Sequence, residues 1–249
     1  CCIVLQNEIS VHFSVDDVIN SLVWLTKSDS VSIFESYTFS FAKYLNEKYG
    51  VATTCNLFFR NSNYNLKDIS CKWKDEFKAN SKWLKFAFHG YDKDINYKEI
   101  SYNEAKQHYS MVKKESLRFA SVDNWIDICR IHYFAGNRHV IKALEDVGCR
   151  VLLTADDDRG SYDLEWNEEI KAREKIYFRS KDNMGFLATD VRLEKIGKSD
   201  IKKYVNQYKK KCIVIFTHEQ YIGYEDIKIK ISQILDGFQQ RKIQIKSVI

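Results

Sequence analysis

The chain has 249 residues, of which 45% are hydrophobic and 14% aromatic, and it contains no proline. This composition excludes a disordered chain and suffices for the core of one domain, so we expect a single domain over residues 1–249. The net charge of +5 arises from 39 basic and 34 acidic side chains spread along the whole chain, which disfavours a nucleic-acid partner.

Short apolar runs alternate with segments of helical periodicity, a pattern typical of βαβ units around a parallel sheet. We predict strands at residues 9–13, 51–59, 84–89, 125–133, 149–153, 185–189, 211–217 and 243–248. Helices are predicted at residues 32–49, 103–119, 140–144, 201–208 and 224–238. About seven βα units result, which is the size of an α/β barrel.

The cysteines and the hydropathy pattern indicate in which cellular compartment the protein is expected. Seven cysteines occur without the paired CxxC spacing of a zinc knuckle. Several fall inside apolar runs, as small buried hydrophobes do in a reducing environment, so we expect a cytoplasmic protein. No run approaches the roughly twenty apolar residues of a membrane span, and no membrane partner is expected. Because the chain does not begin with Met, a secreted form with a removed leader stays an open alternative.

Polar residues follow most of the predicted strands, where catalytic groups gather in a parallel barrel. They are Asp16, Asp17, His89, Arg130, His132, Tyr133, Asp156, Asp157, Asp158, Arg159, Thr189, Asp190, Arg192, His218 and Glu219. Each has an ordinary explanation, such as a surface ion pair of Arg192 with Asp190 or Glu194. Together they favour a metal-assisted hydrolase, because a divalent ion needs oxygen and nitrogen ligands and an open position for water.

Adjacent carboxylates on a turn point in different directions, so Asp16 and Asp17 can divide two tasks. One can bind a metal ion while the other accepts a proton from the attacking water. A histidine at another strand end would supply the general acid, and His218 fits that role.

Residues 13–17, FSVDD, resemble the TFDD motif of the polysaccharide deacetylases, also called carbohydrate esterase family 4 or the NodB-homology group. The resemblance implies an α/β fold with a distorted (β/α)7-type barrel, in which Asp16 is the catalytic base and Asp17 a metal ligand. The apolar strand that ends in His218 resembles the late motif of the family, which implies a general acid at that histidine.

The second family motif, H-S/T-x-x-H, is incomplete. His89 matches its first metal-binding histidine, whereas position 93, which should hold the second, is Lys. The third metal ligand is therefore open among Asp92, His108 and His132.

The third family motif, R-x-P-Y/F, is also changed. It keeps Arg130, which by resemblance orients the base, and Tyr133, near which backbone N–H groups would form the oxyanion hole and contact substrate. His132 replaces the proline, which alters the turn and adds a candidate ligand.

The resemblance implies a hydrolase that uses a divalent metal ion, with zinc favoured, to deacetylate an N-acetylated sugar or a related amide. The expected partner is a carbohydrate or another small acetylated substrate. A catalytically degenerate barrel that binds a carbohydrate is one alternative, and a metal-free glycosidase using Asp16, Asp157 and Glu219 is another. Four aromatic residues near the third strand are candidate sugar platforms, although core packing is favoured for each: Tyr64, Trp73, Trp83 and Tyr91.

Overall fold

The structure is a computed structural model that describes residues 8–157 and 159–248. Cys1, Cys2 and Asp158 lie outside the described residues. The strands are β1 (Glu8–Val18), β2 (Thr53–Phe58), β3 (Leu84–Gly90), β4 (Ile128–Cys129), β5 (Val151–Thr154), β6 (Tyr177–Arg179), β7 (Met184–Ala188), β8 (Val191–Arg192), β9 (Cys212–His218) and β10 (Gln244–Ser247). The helices are α1 (Asn20–Lys27), α2 (Tyr37–Tyr49), α3 (Lys74–Ala79), α4 (Tyr102–Phe119), α5 (Arg138–Asp146), α6 (Trp166–Glu174), α7 (Lys198–Gln207) and α8 (Glu225–Gln240).

The strands form two sheets that together make a distorted (β/α)7 barrel, as predicted. The first sheet has the order β3-β2-β1-β9-β8, with β10 beside the first residues of β1. The second has the order β4-β5-β7-β6, in which β6 runs antiparallel. On one side a backbone hydrogen bond joins the sheets, since the Ile126 N–H donates to the Phe86 carbonyl at 3.0 Å. On the other side the chain passes directly from β7 to β8, and the Asp190 N–H donates to the Val214 carbonyl of β9 at 2.9 Å.

The helix boundaries follow local capping signals that are visible in the sequence. The Ser36 hydroxyl accepts the Phe39 N–H at the start of α2, and the helix ends at Gly50, whose φ of 68° suits a residue without a Cβ. Ser101 and Glu104 form a capping box at the start of α4. In contrast, α6 was not predicted, since its buried residues, Glu169 and Ala172, make no apolar stripe.

The fourth strand is much shorter than predicted. The prediction covered residues 125–133, but β4 contains only Ile128–Cys129, and a 3-10 turn occupies His132–Phe134. Within this turn Tyr133 and Phe134 have φ values of 58° and 57°, in the left-handed region that non-glycine residues rarely adopt. The apolar run therefore bends at its carboxyl end instead of continuing as a strand, and this bend directs side chains towards the barrel mouth.

The barrel interior is partly polar along β1. Phe13 packs outwards, with its ring centroid 6.0 Å from that of Phe41 in α2. Side chains two residues apart share a face of a strand, so His12, Ser14 and Asp16 share the other face, and all three are buried. The interior thus holds a column of buried polar groups that ends at the carboxyl edge of β1.

The structure also bears on the predictions about the cysteines and about membrane spans. The structure describes five cysteines, all free thiols, and Cys55, Cys129 and Cys149 are buried. Among the helices of residues 8–157 and 159–248, none combines the length and the apolar character needed to cross a membrane.

Candidate active site

The two carboxylates at the end of β1 face different surroundings. The pairing of β1 with β2 shifts register between Val15 and Val18, and Asp17 has a φ of 63°. Such an irregularity re-aims the side chains of a strand. As a result, Asp16 contacts Arg130 inside the barrel, whereas Asp17 contacts histidines at the barrel mouth. One strand end therefore supplies two separate carboxylate positions.

Asp16 belongs to a buried network of hydrogen bonds and one ion pair. Its Oδ1 accepts the Asn56 Nδ2–H at 2.7 Å and the Arg130 Nη1–H at 3.0 Å. Arg130 also donates to the Ser14 hydroxyl at 2.7 Å and to the Thr189 hydroxyl at 3.1 Å. Both Asp16 and Arg130 are almost fully buried, so this pairing offsets the cost of taking their charges out of water.

Asp17 faces His89 and His132. The Nδ1 of His89 lies 2.5 Å from the Arg130 carbonyl oxygen, which can only accept. In the neutral ring the proton is therefore on Nδ1, and Nε2 presents a lone pair. That Nε2 lies 3.0 Å from Asp17 Oδ1 and 3.2 Å from His132 Nδ1, while His132 Nδ1 and Asp17 Oδ1 are 3.5 Å apart. With the His132 proton on Nε2, three acceptor atoms converge on one point, which favours a cation there.

The electrostatics of this cluster suit a cation as well. Although burial raises the pKa of Asp17, the neighbouring imidazoles of His132 and His89 hold it well below its usual range. Burial lowers the pKa of His132. The cluster therefore presents an ionised carboxylate and a neutral imidazole at neutral pH, the protonation states in which these groups bind metal ions.

The separations of the three atoms fit a divalent ion. Zinc bonds of about 2.0–2.1 Å at tetrahedral angles place neighbouring ligand atoms about 3.3 Å apart. The observed separations are 3.0, 3.2 and 3.5 Å. Three protein ligands with a fourth position left open is the arrangement of catalytic zinc sites. Within the described part of the chain, Asp17, His89 and His132 form the one such group of candidate ligands.

The other two candidates for the third metal ligand, Asp92 and His108, contact other residues. Asp92 pairs with Arg60, whose Nε lies 2.8 Å from its Oδ2. His108 stacks on the Tyr91 ring at a centroid distance of 4.5 Å. Of the three alternatives that the sequence left open, the structure brings only His132 to Asp17 and His89.

His218 lies at the end of β9, directly opposite Asp16 in the strand register. Its Nδ1 hydrogen-bonds to the carboxylate of Glu194. Burial lowers the pKa of His218, but the hydrogen bond to Glu194 and the carboxylates of Asp16 and Asp17 outweigh it and raise the pKa. The imidazole can therefore carry a proton near neutral pH, as a general acid must.

A cavity of about 80 Å³ lies between these groups, lined by Asp16, His89, Arg130, Ile131, His132, Tyr133, Phe134, Arg159, Arg192, Phe216 and His218. It is smaller than the few hundred Å³ of pockets that enclose a whole drug-sized ligand. Tyr133 is exposed at its rim. The N–H groups of Phe134 and Ala135 already donate to carbonyls of the turn, which leaves the Tyr133 N–H as the candidate donor for a ligand among these three.

The remaining carboxylates have structural partners. Glu219 accepts the N–H groups of Ile19, Asn20 and Ser21 at 3.2, 2.8 and 2.7 Å, and so caps the start of α1. Asp157 pairs with Arg159. These contacts disfavour Glu219 and Asp157 as the free carboxylates of a metal-free glycosidase.

The ordinary explanation of Arg192, a surface ion pair with Asp190 or Glu194, does not describe its contacts. Arg192 forms an ion pair with Asp156. Asp190 instead pairs with Lys210, and Glu194 hydrogen-bonds to His218. The pairs form across strands, which sequence spacing does not reveal.

No protein-family model and no curated protein matches the sequence. Solved structures do resemble it. A CE4 family pseudoenzyme from Bacillus anthracis shares 12% identity over 98% of this chain and 65% of its own, with a TM-score of 0.53. A peptidoglycan N-acetylglucosamine deacetylase shares 13% identity over 98% of this chain and 88% of its own, with a TM-score of 0.55. A 4-alpha-glucanotransferase from Thermococcus litoralis shares 11% identity over 96% of this chain and 39% of its own, with a TM-score of 0.61.

The chain has the polysaccharide deacetylase fold. The resemblance predicted from the sequence is thus confirmed at the level of the fold. The chain spans 65% of the length of the pseudoenzyme. At these low sequence identities the structural similarity shows the fold alone. The activity has to be argued from the chemistry of the site.

Within this deacetylase fold, two contributors to the site were missed in the sequence. Asn56 donates to Asp16, and its signal was a polar residue inside the apolar run of β2. Glu194 bonds His218 and lies two residues after β8. Its role had no signal in the sequence, because its partner lies on another strand.

Proposed function

We propose that this chain is a metal-dependent hydrolase that removes the acetyl group from an N-acetylated sugar or a related amide. The observation that carries the proposal is the convergence of Asp17 Oδ1, His89 Nε2 and His132 Nδ1 at separations of 3.0–3.5 Å. The deacetylase that shares the fold supports the choice of substrate class.

In this proposal Asp17, His89 and His132 hold the metal ion, with zinc favoured. A bound divalent ion would polarise the acetyl carbonyl and activate water as a Lewis acid. The replacement of the expected histidine by Lys93 is then compensated by His132 from a different element. The Arg130 carbonyl, which accepts the His89 Nδ1–H, would keep Nε2 directed at the ion.

Asp16 serves as the general base. Arg130 and Asn56 both donate to its Oδ1, which leaves Oδ2 to take the proton of the attacking water. Arg130 orients this carboxylate, a positioning role that requires no contact with the substrate.

His218 serves as the general acid and the Tyr133 N–H as the oxyanion donor. Because Glu194 holds Nδ1 of His218, Nε2 is the atom that gives its proton to the leaving amine. The Tyr133 N–H donates to the carbonyl oxygen as negative charge develops on it. In the small cavity the acetyl group enters while the sugar ring stays at the mouth.

Elemental analysis of the purified protein tests the metal site directly. We expect about one divalent ion per wild-type chain and its loss in the double variant Asp17→Ala, His89→Ala. His132→Ala should lower zinc affinity by at least the 10–100-fold that the loss of a supporting partner costs. His108→Ala is the matched control, since its ring stacks on Tyr91 outside the cluster. A wild-type chain that neither carries nor binds a divalent ion contradicts the proposal.

A second candidate is a degenerate barrel that binds carbohydrate without turnover. Two observations favour it: Lys93 interrupts the metal-binding motif, and one protein with this fold is a pseudoenzyme. Acetate release from N-acetylglucosamine oligomers separates the two candidates. Zinc binding without acetate release, together with retained binding of oligomers, would favour the degenerate barrel.

We also propose a cytoplasmic location. The free thiols of Cys55, Cys129 and Cys149 lie buried in the core and support a reducing compartment.

A further inference from the structure

The turn that carries His132 and Tyr133 is held at both ends by one residue, Tyr162. The Tyr162 hydroxyl accepts the Ile131 N–H at 3.1 Å, directly before the turn. The Tyr162 N–H donates to the Phe134 carbonyl at 3.2 Å, at the last residue of the turn. We call these two hydrogen bonds the turn clamp. The clamp encloses the two residues to which the proposed function assigns a metal ligand and an oxyanion donor.

The turn clamp is anchored to the second sheet of the barrel. The Tyr162 hydroxyl also donates to the Leu153 carbonyl of β5 at 2.8 Å. Tyr162 is fully buried, and burial raises the pKa of its hydroxyl. The hydroxyl therefore keeps its proton, so that it can donate to Leu153 while it accepts the Ile131 N–H. It joins the turn to a strand inside the core, where a hydrogen bond is stronger than in water.

The backbone and the ring of Tyr162 fix where its hydroxyl lies. Tyr162 and Asp163 have φ values of 53° and 59°, in the left-handed region that non-glycine residues rarely adopt. Such a strained conformation persists only where the surrounding contacts hold it. The ring lies close to Gly136, where a Cβ atom would be 3.2 Å from Cδ1 of Tyr162. Tyr162 is thus packed against the segment that follows the turn.

The turn lacks a constraint that the motif R-x-P-Y/F would provide. His132 stands where the motif has proline, and the ring of a proline fixes its φ angle. Tyr133 and Phe134 nevertheless hold φ values of 58° and 57°. Contacts from outside the turn are therefore needed to keep this conformation, and Tyr162 supplies two of them.

We propose that Tyr162 is a positioning residue for the reaction, which holds His132 at the metal ion and the Tyr133 N–H at the carbonyl oxygen. This inference rests on the proposed function, because that function assigns the two tasks to the turn. Tyr162 is buried and does not line the cavity, so it acts through the turn and not on the substrate. Partners that orient a metal ligand are typically worth about 10–100-fold in metal affinity.

The variant Tyr162→Phe removes the hydroxyl and keeps the ring. We expect its metal-free form to bind zinc about tenfold more weakly than wild type in a competition titration against a chelating dye. Tyr109→Phe is the matched control, because Tyr109 is also buried and its hydroxyl also makes two hydrogen bonds. That hydroxyl donates to Asp127 at 2.9 Å and accepts the Trp125 Nε1–H at 3.2 Å. The control should lose a similar amount of stability and keep the zinc affinity of wild type.

Hydrogen exchange of the metal-free protein tests the turn clamp without zinc or substrate. In wild type the Ile131 N–H should be protected from exchange. In Tyr162→Phe the N–H groups of Ile131 and Phe134 should exchange about tenfold faster, because the turn opens more often, whereas Tyr109→Phe should leave them unchanged. An unprotected Ile131 N–H in wild type would overturn the inference, whether or not the variant folds.

Catalysis supplies a third measurement. Tyr162→Phe should lower kcat for acetate release and leave KM nearly unchanged, because the oxyanion donor acts in the transition state and Tyr162 does not contact the substrate. A rise in KM alone would contradict the positioning role.

The outcomes separate this inference from the proposed function. Equal zinc affinity of wild type and Tyr162→Phe, or an equal loss of affinity in Tyr162→Phe and Tyr109→Phe, overturns the positioning role and leaves the metal-dependent hydrolase. Wild-type protein that binds no zinc contradicts the hydrolase. Faster exchange in Tyr162→Phe would then assign the turn clamp a structural role only, and the positioning role would fall with the hydrolase.

Discussion

The buried network around Asp16 and the cluster around Asp17 are neighbours in sequence but balance their charges differently. Around Asp16, the N–H groups of Arg130 and Asn56 meet a carboxylate oxygen, so each charge has a partner within the chain. Around Asp17, a carboxylate oxygen faces the lone pair of His89 Nε2. The first group pairs its opposite charges within the chain, and the second needs a cation from outside. The comparison shows how one strand end can supply both a fixed carboxylate and a ligand-binding one.

Breaking the buried network should have the largest effect on stability. Arg130→Met leaves the Asp16 carboxylate buried without its cation, and we expect the free energy of unfolding to fall by about 3–5 kcal/mol. Chemical denaturation measures the change. Arg60→Met is the matched control, because Arg60 pairs with Asp92 from a side chain that is 52% exposed, and such pairs contribute about 1 kcal/mol or less.

The double variant Arg130→Met, Asp16→Asn sharpens the same test. Removing the charge of Asp16 as well should restore part of the lost stability, because no buried charge is then unpaired. Equal losses for Arg130→Met and Arg60→Met would mean that the buried network is not what holds Asp16.

At the Asp17 cluster at the barrel mouth, we expect a bound metal ion to raise the free energy of unfolding. Zinc at a hundred times its dissociation constant should raise the free energy of unfolding by about 2.7 kcal/mol, because it binds the folded state. Thermal or chemical unfolding with zinc and with a chelator measures this gain. The gain should be absent in His132→Ala and present in His108→Ala, and a gain of equal size in both would place the ion elsewhere.

The smallest expected effect is the change in stability with pH that is caused by His12, in the barrel interior below Asp16. His12 is buried, and burial together with the charge of Arg130 lowers its pKa to about 3. The unfolded chain takes up a proton near pH 6.5, but the folded chain does not, so stability falls as the pH drops below that value. For this one group the loss between pH 6 and pH 5 is about 1 kcal/mol.

Denaturation at both pH values in wild type and His12→Leu tests this expectation. The variant should lose that part of the pH dependence, even though the substitution itself lowers stability. An identical pH dependence in the two proteins would mean that His12 is protonated in the folded state or exposed to solvent.

Much of the fold could be predicted from the sequence, because hydrophobic periodicity reports which faces of an element are buried. The helices at 32–49 and 103–119 and the strands at 84–89 and 211–217 agree closely with α2, α4, β3 and β9. The prediction failed where local conformation overrides apolar character. The run at residues 125–133 predicted a strand, yet β4 ends at Cys129 and the left-handed conformations of Tyr133 and Phe134 turn the chain.

The candidate site could be predicted only in part. Asp16, Asp17, His89 and His218 follow apolar runs, so the parallel topology alone brings them to one edge. Asn56 lies within an apolar strand, where a polar residue has several ordinary explanations.

The sequence by itself determined most of the strands along the chain and the set of polar groups that follow them, because strand periodicity and parallel connections depend on local residue patterns. Only the tertiary structure decided which groups meet. The irregular backbone at Asp17 and the turn at Tyr133 bring Asp17 and His132 to 3.5 Å across the barrel mouth. Distances of that size depend on how strands from opposite ends of the chain pack together, and no local pattern encodes them.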